Sequence, residues 1–261
     1  MKKLKNICIF LFSGTGMTKY VIEKIKTELE TRQICVNIYC IENVKIDTVP
    51  FDSYDAIGFA YPVHSFNAPK IMIDFAKKLP NVKCTDTFVV STAGGYSSSN
   101  FSSSKLLIKI LRKKGFNVFY DKQFIMPSNF AVKDDETVVK NKFAKVNEEI
   151  PETVQEITNM ISHEPKSNFV SNIVAFIGRV EWLGLLITGR FFHANKECNS
   201  CKKCVDSCPN RSITLKNEKA HFNRNCGLCM RCVYLCPQHC IKPYRIFKFI
   251  SFDKWYETGN N

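Results

Sequence analysis

Eight cysteines set the chemistry open to this chain. The run Cys198-x-x-Cys201-x-x-Cys204-x-x-x-Cys208-Pro209 recurs 28 residues later as Cys226-x-x-Cys229-x-x-Cys232-x-x-x-Cys236-Pro237. A loop with a thiolate at every third residue can wrap three corners of a metal-sulfur cube, and the proline turns the chain away after the fourth. Structural zinc also uses C-x-x-C, but it takes its ligands as two separated pairs, whereas here three come as one triplet with a fourth just before proline, twice. The pattern favours two cubic iron-sulfur clusters over zinc or disulfides. The repeat extends past the ligands, since Pro209-Asn210-Arg211-Ser212-Ile213 aligns with Pro237-Gln238-His239-Cys240-Ile241. A half-domain duplicated about a pseudo-two-fold is therefore expected.

A second candidate site stands near the start of the chain. Residues 4–12 form a nearly continuous apolar run, as for a strand covered on both faces. They lead into Ser13-Gly14-Thr15-Gly16-Met17-Thr18 and then a helical pattern with Tyr20, Val21, Ile25 and Leu29 on one face. Strand, hydroxyl-rich loop and helix together make an anion site, in which amides at the helix start and Ser/Thr hydroxyls surround a phosphate. Neither Gly-Lys-Ser/Thr nor G-x-G-x-x-G follows, which excludes a nucleoside-triphosphate loop and a dinucleotide fingerprint. Two further stretches, Tyr61-Pro62-Val63-His64-Ser65-Phe66 and Ala93-Gly94-Gly95-Tyr96, offer the aromatics and glycine backbone that a flat ring system needs.

The elements that must position these groups alternate as in an α/β sheet. Strands are expected at 34–41, 54–60, 86–92 and 117–125, and helices at 69–79 and 102–114, with a C-terminal helical pair broken by Pro151. This reads as a doubly wound parallel sheet in order 2-1-3-4-5, in which ligands bind outside the carboxyl ends of the strands, where the loops after strands 1, 3 and 4 converge. Residues 1–162 form this first domain. A linker at 163–171 and an apolar stretch at 172–192 follow, within a connector spanning 163–195. Arg179, Glu181, Gly184, Gly189 and Arg190 interrupt the apolar stretch, so it is expected to be a helix clamped between two domains rather than a membrane span; contact with a membrane surface is the alternative. The cysteine repeat occupies 196–245. In the tail, 246–261, aromatic and basic residues alternate, as in an edge strand packed on the rest of the chain.

The chain has 261 residues, 13 cysteines and a formal net charge of +13. The cysteines outside the repeat, Cys8, Cys35, Cys40 and Cys84, together with Cys240, are an odd number and suit no disulfide framework, which fits a reducing cytosol. The opening Met-Lys-Lys-Leu-Lys-Asn runs into a strand with no cleavage pattern, not a signal peptide. Two all-cysteine clusters at about −2 each and a bound phosphate group at about −2 would leave roughly +7. That charge suits an acidic redox partner protein or a membrane surface; nucleic acid has no motif behind it.

Ser13, Thr15, Gly16 and Thr18 match the pattern Ser/Thr-x-Thr-Gly-x-Thr and resemble the flavodoxin phosphate loop, and the cysteine repeat resembles a bacterial-type ferredoxin with two 4Fe-4S clusters. In that ferredoxin the fourth cysteine of each run serves the other cluster. The resemblance thus implies one cluster on Cys198, Cys201, Cys204 and Cys236 and another on Cys226, Cys229, Cys232 and Cys208. Nearly the whole chain resembles the flavodoxin-ferredoxin fusion proteins of anaerobic bacteria and archaea: a flavodoxin-like doubly wound sheet plus a small α+β ferredoxin domain. FMN would be bound by Ser13, Gly14, Thr15, Gly16, Met17 and Thr18, by Tyr61, Pro62, Val63 and His64, and by Ala93, Gly94, Gly95 and Tyr96. Met17 stands where the family often has Asn, and His64 where a Tyr often accompanies the flavin. The implied activity is electron transfer between one- and two-electron carriers, with a flavin-dependent reductase of a small molecule or quinone, or a redox sensor, as alternatives. No acid, base or nucleophile for an organic substrate stands out.

Overall fold

The computed structural model describes residues 4–95, 98–129, 133–164, 167–180, 182, 189 and 192–243. The first part alternates strand and helix: β1 (Asn6–Leu11), α1 (Met17–Thr31), β2 (Cys35–Cys40), β3 (Ala56–Pro62), α2 (Lys70–Lys78), β4 (Thr85–Ala93), α3 (Lys105–Lys113), β5 (Phe116–Ile125) and α4 (Glu136–Thr158). The strands pair in parallel in the order β2-β1-β3-β4-β5. This is the flavodoxin-like doubly wound order, as expected from the sequence.

Apolar layers cover both faces of the sheet, which explains the unbroken hydrophobic runs of β1 and β3. One layer packs Val21, Ile22, Ile25 and Leu29 of α1 and Val146, Ile150, Val154 and Ile157 of α4 against Ile7, Ile9 and Val90. The other packs Met72, Ile73, Ala76, Leu107, Ile108 and Leu111 of α2 and α3 against Phe10, Phe59 and Val89.

The expected break at Pro151 does not occur, because α4 runs through it. Val146, Ile150, Thr153, Val154 and Ile157 form one buried stripe spanning the proline, which itself points to solvent. Four buried aliphatic side chains at about 1.5–3 kcal/mol each outweigh the ~3 kcal/mol that proline costs inside a helix. Cys35 and Cys40 are exposed on edge strand β2, whereas Cys8 is fully buried.

The connector also departs from expectation. A helix, α5 (Phe169–Gly178), begins inside the supposed linker, set by a capping box in which the Asn168 side chain accepts from the Ser171 amide and the Ser171 hydroxyl accepts from the Asn168 amide. The large apolar residues of α5 face solvent while Ser171 and Ala175 are buried; residues 181, 183–188, 190 and 191 of the expected connector helix lie outside the described residues. Trp182 folds back onto the α2–α3 core layer. Among the described residues no helix is long and apolar enough to cross a membrane. The tail, 246–261, lies outside the described residues.

The cysteine repeat folds as two copies of one unit. β6 (Phe192–Ala194), α6 (Lys203–Asp206) and β7 (Ile213–Lys216) match β8 (Lys219–Phe222), α7 (Arg231–Leu235) and β9 (Ile241–Pro243) at an offset of 28 residues. The halves exchange strands, β6 pairing with β9 and β7 with β8, both antiparallel. Backbone conformation repeats as well. Left-handed residues recur at Ser200 and Leu228 (φ 59° and 48°), Lys202 and Met230 (62° and 60°), and Arg211 and His239 (50° and 47°). Phe192, Ile213, Ala220, Phe222, Val233 and Ile241 form a small core of their own.

Candidate functional site

Strand exchange decides where the fourth cysteine of each run goes. Cys208 lies five residues before β7, which pairs with β8 from the other half, and Cys236 lies five before β9, which pairs with β6. Each pairing carries the fourth cysteine towards the opposite triplet. Burial pushes the Cys204 thiol up to about 11, helped by the neighbouring sulfurs of Cys236, Cys198 and Cys201. Burial likewise pushes Cys226 up to about 12, with Cys229 and Cys208 adding to it. Cys232 is raised well above the ordinary thiol range by burial, then by Cys229, Cys226, Cys204 and Cys208. Cys236 thus faces the first triplet and Cys208 the second.

The loop backbone serves these sulfurs. Amides of Ser200 and Ala220 approach Cys198, that of Leu228 approaches Cys226 and that of Arg231 approaches Cys229. The Ser212 amide donates to Cys208 Sγ at 3.3 Å. Residues 200, 202, 228 and 230 are left-handed, and the amides of Ser200 and Leu228 are among those that approach sulfur. Among the described residues, no three His, Cys, Asp or Glu side chains converge as they would on a single metal ion. Soft thiols with N–H donors beside them are the donor type that suits a polynuclear iron-sulfur centre.

The second site is a cleft of about 220 Å³ at the carboxyl ends of β1, β3 and β4. Ser13, Gly14, Thr15, Met17 and Thr18 line it from the first loop, Pro62, Val63 and His64 from the second, and Ala93 and Gly94 from the third. Gly16 caps α1 in the left-handed region (φ 97°), a conformation glycine adopts at no steric cost. Of the first-turn amides of α1, that of Lys19 donates to Ser13 Oγ and that of Tyr20 to the Gly16 carbonyl. The amides of Met17 and Thr18 have no intrahelical acceptor.

Several expected residues are placed differently. Tyr61 is fully buried in the α2–α3 core layer, because β3 extends to Pro62; its hydroxyl has no partner among the described residues. Gly95 does not line the cleft, and Tyr96 lies outside the described residues. The Thr18 hydroxyl is buried against that of Thr92, 2.8 Å away, and the Asn129 side-chain amide donates to Thr15 Oγ1. His64 lies in the cleft wall, where burial lowers it to about 4 and keeps it neutral at pH 7.

Sequence reasoning missed two contributors. Thr92, from the end of β4, and Met126-Pro127-Ser128-Asn129, after β5, line the cleft, and Asn129 Oδ1 is buried with no partner among the described residues. The other contributor comes from the cysteine repeat: Leu228 and Met230, flanking Cys229, close one wall. A Cβ on Gly14 would lie 2.1 Å from the Cys229 carbonyl oxygen, so the two loops touch backbone to backbone. Arg231 locks this contact. Its Nη2 donates to the Ser13 carbonyl at 2.7 Å and pairs with Glu42 Oε1 at 2.5 Å, and its Nη1 donates to the Ser207 carbonyl at 3.1 Å. Its guanidinium also lies 5.7 Å from the centre of the Phe12 ring. The only sequence signal was a lone cation between two ligand-type cysteines.

No family model matches the chain, and no curated protein matches it. Its first part is similar to several solved structures. A flavodoxin from the domain Archaea is 17% identical, over 58% of this chain and 99% of that one, at a TM-score of 0.38. Oxidised flavodoxin 2 from Bacillus cereus is 19% identical, over 56% and 98%, at 0.39. An NADPH-quinone reductase from P. pentosaceus is 8% identical, over 56% and 96%, at 0.39. The fold assignment rests on the strand order itself.

Proposed function

We propose that this chain is an electron-transfer flavoprotein that holds FMN in the cleft and two 4Fe-4S clusters on its eight repeat cysteines. The observation that carries this reading is the shared wall: the hydroxyl-rich loop of the cleft and the loop bearing Cys226, Cys229 and Cys232 are in backbone contact at Gly14 and Cys229. An anion-binding loop and a thiol cluster on separate elements would be unremarkable. Pressed together, they make a path for electrons.

FMN exchanges one or two electrons and a cubic cluster one, so the two together would link one- and two-electron carriers. Ser13, Thr15 and the first-turn amides of Met17 and Thr18 would hold the phosphate without a cation. Val63, neutral His64, Ala93 and Gly94 would flank the ring, and the buried Asn129 oxygen offers an acceptor at the cleft edge. Cys198, Cys201, Cys204 and Cys236 would hold one cluster and Cys226, Cys229, Cys232 and Cys208 the other, with the loop amides setting potentials through N–H···S bonds. Arg231 keeps the two loops in register. The positive surface suits an acidic redox partner, and the unpaired thiols suit the cytosol.

Anaerobic purification followed by iron, acid-labile sulfide and flavin analysis tests the reading. About eight iron, eight sulfide and one FMN per chain are expected from two cubic clusters and one phosphate loop. Zinc at about two per chain, from two four-ligand sites, with no visible chromophore, would overturn it.

A further inference from the structure

α5 inverts the usual order of an amphipathic helix. Phe169, Val170, Ile173, Phe176, Ile177 and Val180 lie at the helical spacing of a single stripe, and they face solvent, with Phe169 78% and Phe176 68% exposed. The opposite face, small and polar, is bonded to the protein. Ser102 and Ser171 hydroxyls lie 2.7 Å apart, Asn67 Nδ2 donates to the Ala175 carbonyl at 2.8 Å, and Lys105 Nζ donates to Asn172 Oδ1 at 2.8 Å. Gly178 passes so close to Ser65 that a Cβ there would lie 2.1 Å from its carbonyl oxygen. A soluble helix normally buries its apolar stripe, so this one is fixed in place to present it.

Cations lie beside α5. The Lys105 bond joins α5 to the start of α3, whose exposed residues include Lys105, Lys109 and Lys113, with Arg112 paired to Glu164; no acidic residue occurs from 105 to 114. Arg179, at the end of α5, places its guanidinium 5.8 Å from the centre of the Phe176 ring. An apolar helical face bordered by long-stemmed cations suits the headgroup and acyl boundary of an anionic bilayer.

We infer that α5 docks the protein on an anionic lipid surface, its apolar stripe inserted and the α3 cations against the headgroups. The Ser65–Asn67 turn that holds α5 adjoins Val63 and His64 of the cleft wall, so docking would bring the cleft mouth near the bilayer. This inference rests on α5 and α3 and not on the cofactors.

Flotation of the full chain with phosphatidylcholine vesicles, with and without phosphatidylglycerol, tests it. Binding is expected only with phosphatidylglycerol and should weaken with salt. Phe176→Ser, on a side chain already exposed and so harmless to folding, should weaken it roughly tenfold or more. Lys109→Gln and Lys113→Gln, which do not touch α5, should each weaken it by about fivefold. Failure to float with either vesicle, or equal binding by Phe176→Ser, would overturn the inference. So would a dimer in light scattering that Phe176→Ser dissociates, since a second copy would then cover the stripe.

Discussion

Replacing Arg231 by Met should loosen the contact between the two parts of the chain by an amount the structure lets us estimate. The Arg231–Glu42 pair is nearly buried, its side chains only 16% and 8% exposed, and Glu42 Oε2 has no partner among the described residues. Stranding a buried carboxylate costs about 3–5 kcal/mol. The lost bonds to the Ser13 and Ser207 carbonyls add about 1 kcal/mol each. Glu42→Gln alone leaves Arg231 with both carbonyls and should cost less, about 1–2 kcal/mol. The double variant has no stranded charge, so its loss should fall at least ~2 kcal/mol short of the sum of the singles. Urea unfolding followed by Trp182 emission, in a Trp255→Phe background, reads this contact, because Trp182 lines the same crevice as Glu42 and Cys229. Amides 14–18 should exchange faster in Arg231→Met, since Ser13 loses its anchor. A loss below about 1 kcal/mol, or additive singles and double, would mean that the pair behaves as a surface ion pair and does not join the two parts.

Three further outcomes are expected. Cys208→Ala should abolish the cluster served by Cys226, Cys229 and Cys232 and spare the other, read by iron content and the spectrum of the reduced protein; the reverse would show that each run closes on itself. Thr15→Val should weaken FMN binding by about one to two decades while leaving riboflavin binding unchanged, measured by flavin fluorescence titration; equal losses would remove the phosphate from this loop. Asp121 is raised to about 6 by burial, against a donated bond from Ser104 that lowers it. A carboxyl raised in the fold contributes stability below its unfolded value of 3.8 that is lost as pH rises through 6, so Asp121→Asn should stabilise the protein at pH 8 by at most ~3 kcal/mol and leave it unchanged at pH 4; equal melting shifts at both pH values would contradict this.

Much of this was legible because the determinants are local. The sheet order followed from apolar runs separated by helical periods, and the two-fold repeat from spacing alone. Pro151 misled because a local rule lost to a buried stripe that only tertiary packing reveals. α5 misled in the opposite sense: its hydrophobicity is that of a buried helix, but Ser171, Asn172 and Ala175 make the contacts. The Thr18 hydroxyl, read as a phosphate donor, is committed to Thr92, a partner 74 residues away that no motif records. Arg231 was silent for the same reason, since both Ser13 and Glu42 are remote in sequence.

The contact between the loops changes the meaning of the motif glycine. In isolation, Gly14 reads as room for a phosphate against the backbone. Here its missing Cβ is where the Cys229 carbonyl sits, so the position is held by the neighbouring unit whatever occupies the cleft. Left-handed Leu228 and Met230 turn amides towards the sulfurs, and the same turn brings both side chains to the wall of the cleft. One backbone conformation thus serves the cysteine site on one side and closes the cleft on the other. The corresponding residues of the first half, Ser200 and Lys202, have the same φ but are not among the residues lining the cleft. The duplicated halves are therefore unequal in use: the second triplet is the one set against the cleft, and electrons crossing the shared wall would meet it first.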